Sequence, residues 1–371
     1  MALSLNRLPA DKFLTLRDTI PLVDVRSPAE YEHGHIPGAV NIPLFDDYQR
    51  AEVGTLYKEK GNISAVLRGI DLAAPQMSAK LTRALELAAG KKLLLYCWRG
   101  GMRSEAMAWL FSTGGIEPVL LEGGYKAWRN HILHYLGRKR DYIILGGLTG
   151  SGKTDILNHM ITTGARVTDL ERIASHRGSA FGALGQPPQP SSEHFANMLY
   201  DNLDYGDQKE PVWLEDESRN IGTVFMPDNF FEQMQSAPVI ALMMSIETRL
   251  PRLVEEYASF PVEQIADSVM KISRRLGGQR TGEAMEALRN GDYRTAIRII
   301  LEYYDKSYKY GLSRRLPEQV TYIDTDTDDV AVNAEKVAVA AFEMLKDHPF
   351  LSDSASTHLK TLSDRLTSLG R

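Results

Sequence analysis

The chain has 371 residues, of which 43% are hydrophobic and 25% charged, with one cysteine and a formal net charge of −5 at pH 7. This composition excludes a disordered or fibrous chain, and the negative charge argues against a general nucleic-acid binder. The length predicts two or three compact units, and the single cysteine excludes an internal disulfide or a cysteine-rich metal centre. Charged residues interrupt the first apolar runs and no later run reaches eighteen residues, so we expect a cytoplasmic protein without a membrane span.

The first part of the chain has the pattern of a small α/β domain. Apolar runs predict strands at residues 21–25, 93–96 and 118–121, and helical periodicity predicts helices at 78–89 and 104–112. Strands separated by helices favour a largely parallel sheet. The polar segment at residues 138–141 ends this pattern. We therefore expect one domain over residues 1–137 and a second over residues 138–371.

The second part of the chain also alternates strands and helices. Apolar runs predict strands at residues 142–145, 165–168, 212–214, 239–244 and 320–323. Helical spacing prevails over residues 262–310 and again over 330–345, so we expect a doubly wound α/β sheet with additional C-terminal helices. Prolines and glycines at residues 185–190 predict a loop. The tail beyond Pro349 is polar and rich in serine.

A glycine-rich motif follows the strand predicted at residues 142–145. Residues 147–154 read GLTGSGKT, which matches G-x-x-x-x-G-K-[ST] and precedes a helical pattern. The glycines of such a loop turn backbone N–H groups towards an anion, the lysine adds positive charge, and the last hydroxyl can bind Mg²⁺. We expect phosphate binding by Gly147, Gly150, Ser151, Gly152, Lys153 and Thr154. The pattern leaves open whether the ligand is a nucleoside triphosphate or another diphosphate.

Four other residues of the second domain are candidates with two interpretations each. Asp169 and Asp216 follow predicted strands, where an acid either contacts a metal or substrate or only caps the next element. Arg249 and Arg252 follow the strand predicted at residues 239–244. They either close over phosphates or lie on a solvated helix face.

The only cysteine lies between a predicted strand and a predicted helix. Backbone N–H groups converge at such a junction, and Arg99 and Arg103 add positive charge, so we expect Cys97 to be populated as a thiolate. A thiolate in an anion-binding loop is a nucleophile that can accept a group from an anionic donor. The alternative is a cysteine buried as a small hydrophobic side chain. The residues expected to support the loop are Arg99, Gly100, Gly101 and Ser104.

Several short motifs in the first domain resemble the rhodanese family. The matching segments are Asp24-Val25-Arg26, Glu30-Tyr31 and GHIPGA at residues 34–39. Cys97 takes the place of the sulfur-carrying cysteine of that family, and the resemblance covers about the first 130 residues. It implies that His33 and His35 belong to a structural turn rather than a metal site, and that Asp24 and Arg26 stabilise the fold.

The cysteine loop departs from the rhodanese pattern in its length. Many small rhodaneses have four residues between the cysteine and the following arginine, whereas five separate Cys97 from Arg103. Five is the spacing of cysteine phosphatases, whose wider loop holds a tetrahedral phosphate. We therefore expect Cys97 and Arg103 to be catalytic residues that act on a phosphate-like donor.

A rhodanese-like domain followed by a phosphate-loop domain resembles the tRNA 2-selenouridine synthase family over essentially the whole chain. The resemblance implies an enzyme that replaces the sulfur of a wobble 2-thiouridine by selenium from selenophosphate, through S-geranylation from geranyl diphosphate. It implies tRNA, selenophosphate and geranyl diphosphate as partners, no membrane partner and no tightly bound cofactor, with Mg²⁺ at Thr154 as the candidate ion. Alkylation converts the thiocarbonyl sulfur into a better leaving group, so the two transfers make chemical sense in series.

A locally basic segment is the candidate surface for tRNA. Residues 249–315 contain thirteen Lys and Arg against nine Asp and Glu, and Lys and Arg neutralise phosphates in nucleic-acid binding. The candidate contacts are Arg274, Arg275 and Arg280, although such arginines can also form a solvated helix face. The tyrosines between residues 293 and 310 are either core side chains or platforms for bases.

Two other interpretations fit the same motifs. The first is a sulfurtransferase or cysteine phosphatase fused to a P-loop small-molecule kinase, which predicts ATP turnover without tRNA. The second is a non-enzymatic protein in which the phosphate loop senses a nucleotide and the first domain docks to a partner. Replacement of Cys97 by alanine would then leave the biological output unchanged.

Overall fold

The computed structural model describes residues 5–88, 91–203, 210–346 and 353–369. The chain forms two compact units, one comprising Met1–Leu136 and Ala196–Asp201 and the other Gly137–Phe195 and Asn202–Arg371. The boundary drawn from the sequence lies one residue later than this division. None of the helices in the described ranges has both the length and the apolar character that crossing a bilayer requires.

The first unit alternates short strands with helices. Its elements are β1 (Asn6–Leu8), α1 (Ala10–Leu14), β2 (Leu22–Asp24), α2 (Pro28–His33), β3 (Val40–Asn41), α3 (Asp47–Lys60), α4 (Asn62–Ala73), α5 (Met77–Leu87), β4 (Lys92–Tyr96), α6 (Met102–Thr113), β5 (Glu117–Leu121) and α7 (Gly124–Leu136). The strands form one parallel sheet in the order β1-β5-β4-β2-β3. Because β4 is the central strand, four of its five residues are buried, which explains its nearly unbroken apolar sequence KLLLY.

The core of the first unit lies between this sheet and helices α5 and α6. Ala84 of α5 and Met107 and Phe111 of α6 belong to one buried cluster with Leu93 and Leu95 of β4. The three predicted strands correspond to β2, β4 and β5. The edge strands β1 and β3 have three and two residues, which is too short for a periodic signal, and the sequence did not predict them.

A buried arginine stabilises the turn that follows β2. The Arg26 side chain is fully buried, and its Nη2 donates to the Asp24 carboxylate at 2.6 Å and to the Gly34 carbonyl at 2.6 Å. The guanidinium carbon also lies 3.8 Å from the centre of the Tyr125 ring. A buried cation of this kind is tolerated when it is paired and hydrogen-bonded. Asp24 and Arg26 therefore have the structural role expected for them.

The segment Ala196–Asp201, assigned to the second domain from the sequence, belongs to the first unit. The fully buried Asn197 donates through Nδ2 to the Tyr125 hydroxyl at 2.7 Å. The Tyr200 ring packs edge-on against Trp128, with 6.3 Å between the ring centres. Contacts between residues about 70 positions apart do not affect local periodicity. The sequence therefore does not predict that residues 196–201 pack in the first unit.

The second unit contains a second parallel sheet. Its elements are β6 (Tyr142–Gly147), α8 (Lys153–Thr162), β7 (Arg166–Val167), α9 (Leu170–Ala174), α10 (Ser192–Asn202, of which Ala196–Asp201 belongs to the first unit), β8 (Val212–Glu215), β9 (Asn220–Ile221), β10 (Val224–Phe225), α11 (Asp228–Ser236), β11 (Val239–Met244), α12 (Ile246–Ala258), α13 (Val262–Leu276), α14 (Gly278–Arg289), α15 (Tyr293–Leu312), β12 (Val320–Thr325), α16 (Val330–Leu345) and α17 (Asp353–Leu369). The sheet order is β12-β11-β6-β8-β7, and β9 and β10 form an antiparallel pair. The glycine-rich motif therefore follows the central strand, at the carboxyl edge where α/β sheets bind ligands.

Two clusters of apolar side chains stabilise the second unit. One joins β6 and β11 to α8, α16 and α17, and the other joins helices α12 to α15. The predicted strand at residues 239–244 and the predicted helix at 330–345 match β11 and α16 in full. The predicted loop at residues 185–190 contains no helix or strand.

The C-terminal tail contains a helix that the sequence analysis did not predict. Residues 347–352, where the tail begins, lie outside the described residues, as does the predicted helix end at residue 89. Leu359, Leu362 and Leu366 of α17 are buried against α16 and α8 in the core cluster. These leucines are three and four residues apart, so they form a narrow apolar stripe on an otherwise polar helix. The stripe is buried because it packs against α16 and α8.

Candidate active sites

The cysteine loop connects β4 to α6 and encloses the thiol. Cys97 is only 3% exposed, and its Sγ lies 3.3 Å from Oγ of Ser104. The Ser104 hydroxyl in turn donates to the Gly101 carbonyl at 2.9 Å. A hydroxyl at this distance can donate to a sulfur anion if it turns from the carbonyl. Ser104 is therefore placed to stabilise a Cys97 thiolate.

The backbone of this loop is arranged for anion binding. Three carbonyl groups of the loop accept hydrogen bonds from donors outside it, whereas within the described residues the N–H groups of residues 98–101 have no backbone acceptor. The pairs are the Tyr125 N–H with the Cys97 carbonyl (2.9 Å), the Lys126 N–H with the Trp98 carbonyl (3.0 Å) and Arg7 Nη1 with the Gly100 carbonyl (2.9 Å). Loop N–H groups beside a helix N-terminus form an anion-binding concavity.

Two glycines allow the loop to pack closely against the start of α7. Gly124 has a φ of +61°, and a Cβ there would lie 2.4 Å from the Cys97 carbonyl oxygen and 2.4 Å from the Gly100 nitrogen. Gly100 has a φ of +68°. By contrast, a Cβ at Gly101 would meet no atom within 4 Å, so packing does not require a glycine there. Gly100 and Gly101 were predicted to support the loop, whereas Gly124, 27 residues after Cys97, has no local sequence signal for this role.

The two arginines of the cysteine loop have different surroundings. Arg103 donates to the Glu30 carboxylate through Nη1 at 2.6 Å and Nη2 at 3.3 Å, whereas Arg99 is exposed. Glu30 also accepts the Ser27 N–H at 3.0 Å as part of the cap of α2. Burial opposes ionisation of Glu30, but the hydrogen bond and charge of Arg103 outweigh it and lower the pKa of Glu30. Glu30 is thus a charged anchor that orients Arg103.

His33 and His35, expected to be structural rather than metal ligands, lie at the end of α2 and two residues beyond it. The His35 ring stacks on Tyr31, with 3.8 Å between the ring centres and 7° between the planes. Its Nδ1 lies 2.9 Å from the Tyr31 carbonyl oxygen, and burial lowers the pKa of His35. Among the described residues, no group of three or more His, Cys, Asp or Glu side chains has the arrangement of a metal site.

The phosphate loop has the backbone geometry that its glycines predict. Gly150 and Gly152 have φ values of +81° and +78°, which favour glycine. Lys153 begins α8, and its Nζ reaches back to the Gly147 carbonyl at 3.2 Å. Ser151 is 3% exposed, and within the described residues its Oγ has no hydrogen-bond partner. The loop thus presents a lysine and an unpaired buried hydroxyl in one compact turn.

A group of carboxylates lies beside α8. The Thr154 hydroxyl is 3.4 Å from the Glu171 carboxylate. Glu215, at the end of β8, is fully buried and accepts the Leu170 N–H at 3.0 Å through Oε2. Its Oε1 has no partner within the described residues. Position after a predicted strand pointed to Asp169 and Asp216, not to these glutamates.

The electrostatics of this group disfavour full ionisation. Burial, followed by the nearby charges of Asp169 and Glu171, raises the pKa of Glu215 to about 8. Burial and Glu171 also raise the pKa of Glu217 well above its ordinary value, although Lys153 opposes the shift. Carboxyl groups with pKa values raised in this way mark a candidate functional position beside α8.

The curated relatives and the family profiles agree on one family. A profile described as the tRNA 2-selenouridine synthase AAA domain matches residues 140–338, and a rhodanese-like domain profile matches residues 9–131. A tRNA 2-selenouridine synthase of Nitrosomonas europaea is 34% identical, and the alignment covers 81% of this chain and 91% of that protein. One from Bdellovibrio bacteriovorus is also 34% identical, with 84% and 94% covered. The chain belongs to the tRNA 2-selenouridine synthase family. Both the family resemblance and the predicted fold class are confirmed.

Within this member of the family, the two candidate aspartates are occupied by other contacts. Asp169 accepts the Arg172 N–H at 2.7 Å and caps α9. Asp216 accepts a hydrogen bond from the Tyr308 hydroxyl at 2.9 Å and another from Arg315 Nη2 at 3.0 Å. Asp169 thus caps a helix, and Asp216 links α15 and Arg315 to the end of β8.

The two candidate arginines beside the phosphate loop differ in burial. Arg249 is fully buried and pairs with Asp305 at 2.6 Å, so it neither closes over phosphates nor lies on a solvated face. Arg252 is partly exposed and pairs with Asp155 on the first turn of α8. A Cβ at Gly152 would lie 3.0 Å from Nη1 of Arg252. Both reach the loop: Arg249 donates to the Thr149 carbonyl at 2.7 Å from the buried side, and Arg252 extends beside Gly152 on the partly exposed side.

The candidate residues for tRNA contacts lie near the end of α13. Arg274 and Arg275 are exposed in its last turn and form no ion pair within the described residues. Arg280 pairs with Glu302. The tyrosines divide between the two interpretations: Tyr293, Tyr303 and Tyr304 pack against the core cluster of α12 to α15, and Tyr310 is 69% exposed.

The Ser104→Ala variant should make Cys97 less reactive. Loss of the hydroxyl near Sγ removes stabilisation of the thiolate, so we expect alkylation by iodoacetamide at constant pH to slow by about three- to tenfold. Mass spectrometry gives the rate directly because the chain has one cysteine. Ser112→Ala, at the other end of α6, is the control and should react like the wild type. Equal rates for Ser104→Ala and wild type would rule out this role of the hydroxyl.

The Glu215→Gln variant should be more stable than the wild type at pH 8. The pKa of Glu215 is about 8 in the folded protein and about 4.5 in the unfolded chain. Between these two pH values the unfolded state binds fewer protons than the folded state. The free energy of unfolding therefore falls as pH rises through this window. Glutamine keeps an acceptor for Leu170 without the buried charge. We expect a gain of about 1 kcal/mol or more at pH 8, roughly 2–4 °C per kcal/mol in Tm, and a smaller gain at pH 5. Thermal unfolding at both pH values tests this, with the exposed Glu318→Gln as control; an equal gain at both would contradict it.

Proposed function

We propose that the chain is a tRNA-modifying enzyme of the cytoplasm that converts 2-thiouridine in tRNA to 2-selenouridine. In this proposal selenophosphate donates the selenium, and S-geranylation from geranyl diphosphate precedes selenium transfer. The observation that carries it is the presence of two intact anion-binding loops, one bearing Cys97 and one bearing Lys153, in a chain whose curated relatives are named tRNA 2-selenouridine synthase.

The cysteine loop is the proposed site of selenium release. Attack of the Cys97 thiolate on phosphorus forms an S–P bond and breaks the P–Se bond, and selenium leaves with the electron pair as hydroselenide. Attack on selenium would instead release the phosphorus group as a phosphorus(III) species. Converting that species to phosphate would need an oxidant, and the reaction contains none. Water then hydrolyses the S–P bond formed at Cys97, which gives phosphate and restores the thiol. Hydroselenide attacks C2 of the geranylated base, a C–Se bond forms, and the C–S bond breaks with geranyl thiolate as the leaving group. The length of the loop and the position of Arg103, held by Glu30, support binding of a tetrahedral phosphoryl group.

The phosphate loop is the proposed site for the diphosphate of geranyl diphosphate. Lys153, the loop amides and the unpaired Ser151 hydroxyl would stabilise the negative charge that develops on the diphosphate leaving group. The competing proposal is that this loop binds a nucleoside triphosphate. ATP is therefore tested as a ligand and as a competitor in every binding experiment.

The surroundings of Thr154 fit a magnesium ion. The Thr154 hydroxyl lies near Glu171, and Glu215 has an unpaired buried oxygen in a group of carboxylates that repel one another. Mg²⁺ is commonly held by one or two carboxylates together with substrate phosphates, so a complete set of protein ligands is not needed. Thr154 and Glu171 are the residues that would hold it, and the bound ion would supply positive charge to the diphosphate.

The proposed tRNA surface is the exposed end of α13. Lys271, Arg274 and Arg275 are exposed, and the two arginines follow Lys271 by three and four residues, so both lie on the same side of the helix as Lys271. Exposed cations without acidic partners can neutralise tRNA phosphates at little cost in desolvation.

Two variants should separate the two transfer steps. The assay incubates purified protein with tRNA containing 2-thiouridine, geranyl diphosphate and selenophosphate, followed by mass analysis of the digested nucleosides. We expect Lys153→Ala to lower geranylation about 100-fold or more, because it removes charge from the leaving-group site. Cys97→Ala should accumulate the geranylated nucleoside without selenation. The exposed Lys309→Ala is the control.

Three results of this assay would contradict the proposal. No modified nucleoside with folded wild-type protein would overturn the function, and ATP turnover without tRNA would then support the fused phosphatase and kinase. Normal geranylation by Lys153→Ala would remove the role of the phosphate loop. Normal selenation by Cys97→Ala would remove the role of the thiol.

The double variant Arg274→Gln/Arg275→Gln should bind tRNA more weakly and with less dependence on salt. Each lost phosphate contact should reduce the slope of log K against log salt by about 1. The matched control is Arg294→Gln/Arg298→Gln, in which both arginines pair with Glu247. Filter binding over a series of salt concentrations measures both slopes, and equal slopes for the two double variants would exclude this surface.

A further inference from the structure

A tyrosine of α15 contacts the first residue of the phosphate loop. The Tyr308 hydroxyl accepts the Gly147 N–H at 2.7 Å and donates to the Asp216 carboxylate at 2.9 Å. Asp216 also accepts from Arg315 at 3.0 Å. Because a carboxylate only accepts, the hydroxyl proton points to Asp216 and the oxygen lone pair is free for Gly147. Burial and Asp216 raise the pKa of Tyr308 well above its ordinary value, which keeps this proton in place.

This hydroxyl continues the sheet ladder beyond the end of β8. Pairing between β6 and β8 ends at Leu145 and Glu215, and the Asp216 N–H donates to the Leu145 carbonyl at 3.1 Å. No further β8 residue follows in the ladder to accept the N–H of Gly147. The Tyr308 oxygen takes that position, so the hydrogen bonding of the strand extends to the start of the loop.

Gly146 provides the space that this contact needs. A Cβ at Gly146 would lie 2.4 Å from the Tyr308 hydroxyl oxygen and 3.0 Å from Cγ1 of Val239. Gly146 lies just outside the G-x-x-x-x-G-K-[ST] motif, so phosphate binding alone does not explain a glycine there. The approach of the tyrosine does.

A second contact from the same helix face holds the middle of the loop. The fully buried Arg249 donates through Nη1 to the Thr149 carbonyl at 2.7 Å. Asp305 pairs with both Nη atoms of Arg249, at 3.1 and 2.6 Å. Asp305 and Tyr308 are three residues apart and therefore share one face of α15. The carbonyl of Thr149 is thus turned to a buried cation.

We propose that Tyr308 and the Arg249–Asp305 pair are positioning residues that hold the phosphate loop in its anion-binding conformation before any phosphorylated molecule binds. The proposal rests on the proposed role of the loop as a diphosphate site. A loop that is already ordered does not lose conformational freedom on binding, and its affinity is not reduced by the population of other conformations. Contacts from α15 thereby set the affinity of the loop for an anion, although Tyr308, Arg249 and Asp305 need not touch the anion themselves.

Binding of inorganic pyrophosphate to the full chain tests this inference by calorimetry. Tyr308→Phe removes one oxygen and keeps the ring, so the fold should be retained with little change in Tm. We expect about three- to tenfold weaker pyrophosphate binding, and faster hydrogen exchange of the Gly147 amide without pyrophosphate. The control is Tyr310→Phe on an exposed position of the same helix, which should match the wild type in both measurements.

A double-variant cycle gives a second measurement of the same contact. Gly146→Ala should displace the Tyr308 hydroxyl and weaken pyrophosphate binding to a similar degree. In the Tyr308→Phe background the further loss should be clearly smaller, because the hydroxyl is already absent. Fully additive losses would show that Gly146 acts by another route and would contradict the mechanism.

The outcomes distinguish this inference from the proposed function. Wild-type protein that binds no pyrophosphate, with or without Mg²⁺, would overturn the assignment of the loop as a diphosphate site. Wild-type protein that binds pyrophosphate, together with Tyr308→Phe that binds it equally well and protects Gly147 equally, would overturn the positioning role alone. Weaker binding by Tyr308→Phe with unchanged Tm would support both.

Discussion

Both candidate sites depend on one constraint at the junction of a parallel strand and a helix: among the described residues, several N–H groups of each loop, those of 98–101 and 148–150, have no backbone acceptor. At the end of β4 the carbonyls around Cys97 are engaged by α7 and Arg7, and at the end of β6 the Thr149 carbonyl is engaged by Arg249. In both loops the acceptors are directed into the protein. The donors that remain can be satisfied by an anion, which explains why phosphate chemistry fits both places.

Each unit also contains a fully buried arginine that binds a backbone carbonyl, in the turn after β2 in the first unit and in the phosphate loop in the second. Arg26 pairs with Asp24 and donates to the Gly34 carbonyl, and Arg249 pairs with Asp305 and donates to the Thr149 carbonyl. A buried cation is costly unless several acceptors surround it. Each arginine therefore holds its aspartate and its carbonyl group in a fixed geometry. This limits the motion of the two segments that carry those groups.

The sequence predicted the parts of each site that are contiguous in the chain. Eight residues contain the whole phosphate loop, and the cysteine loop with Arg103 and Ser104 is equally local, so a motif was sufficient. Likewise β11 and α16 were predicted in full because their apolar periodicity is strong and uninterrupted.

What the sequence did not predict is the set of contacts that join distant residues. Tyr308 and Gly147 are 161 positions apart, and Arg103 and Glu30 are 73 apart. Glu215 was missed for a different reason. Its neighbour Asp216 has the same residue type but faces Tyr308 and Arg315, and burial rather than residue type distinguishes the two acids. Neither separation nor burial can be read from spacing within a window of a few residues.

The isolation of Cys97 has a consequence for the redox chemistry of the protein. Since the chain contains no second thiol, a Cys97 sulfenic acid has no internal partner with which to form a disulfide. Its repair would depend on a small external thiol that can reach a side chain only 3% exposed. The enclosure that keeps bulky oxidants and proteins away therefore also makes any oxidation that does occur slow to reverse.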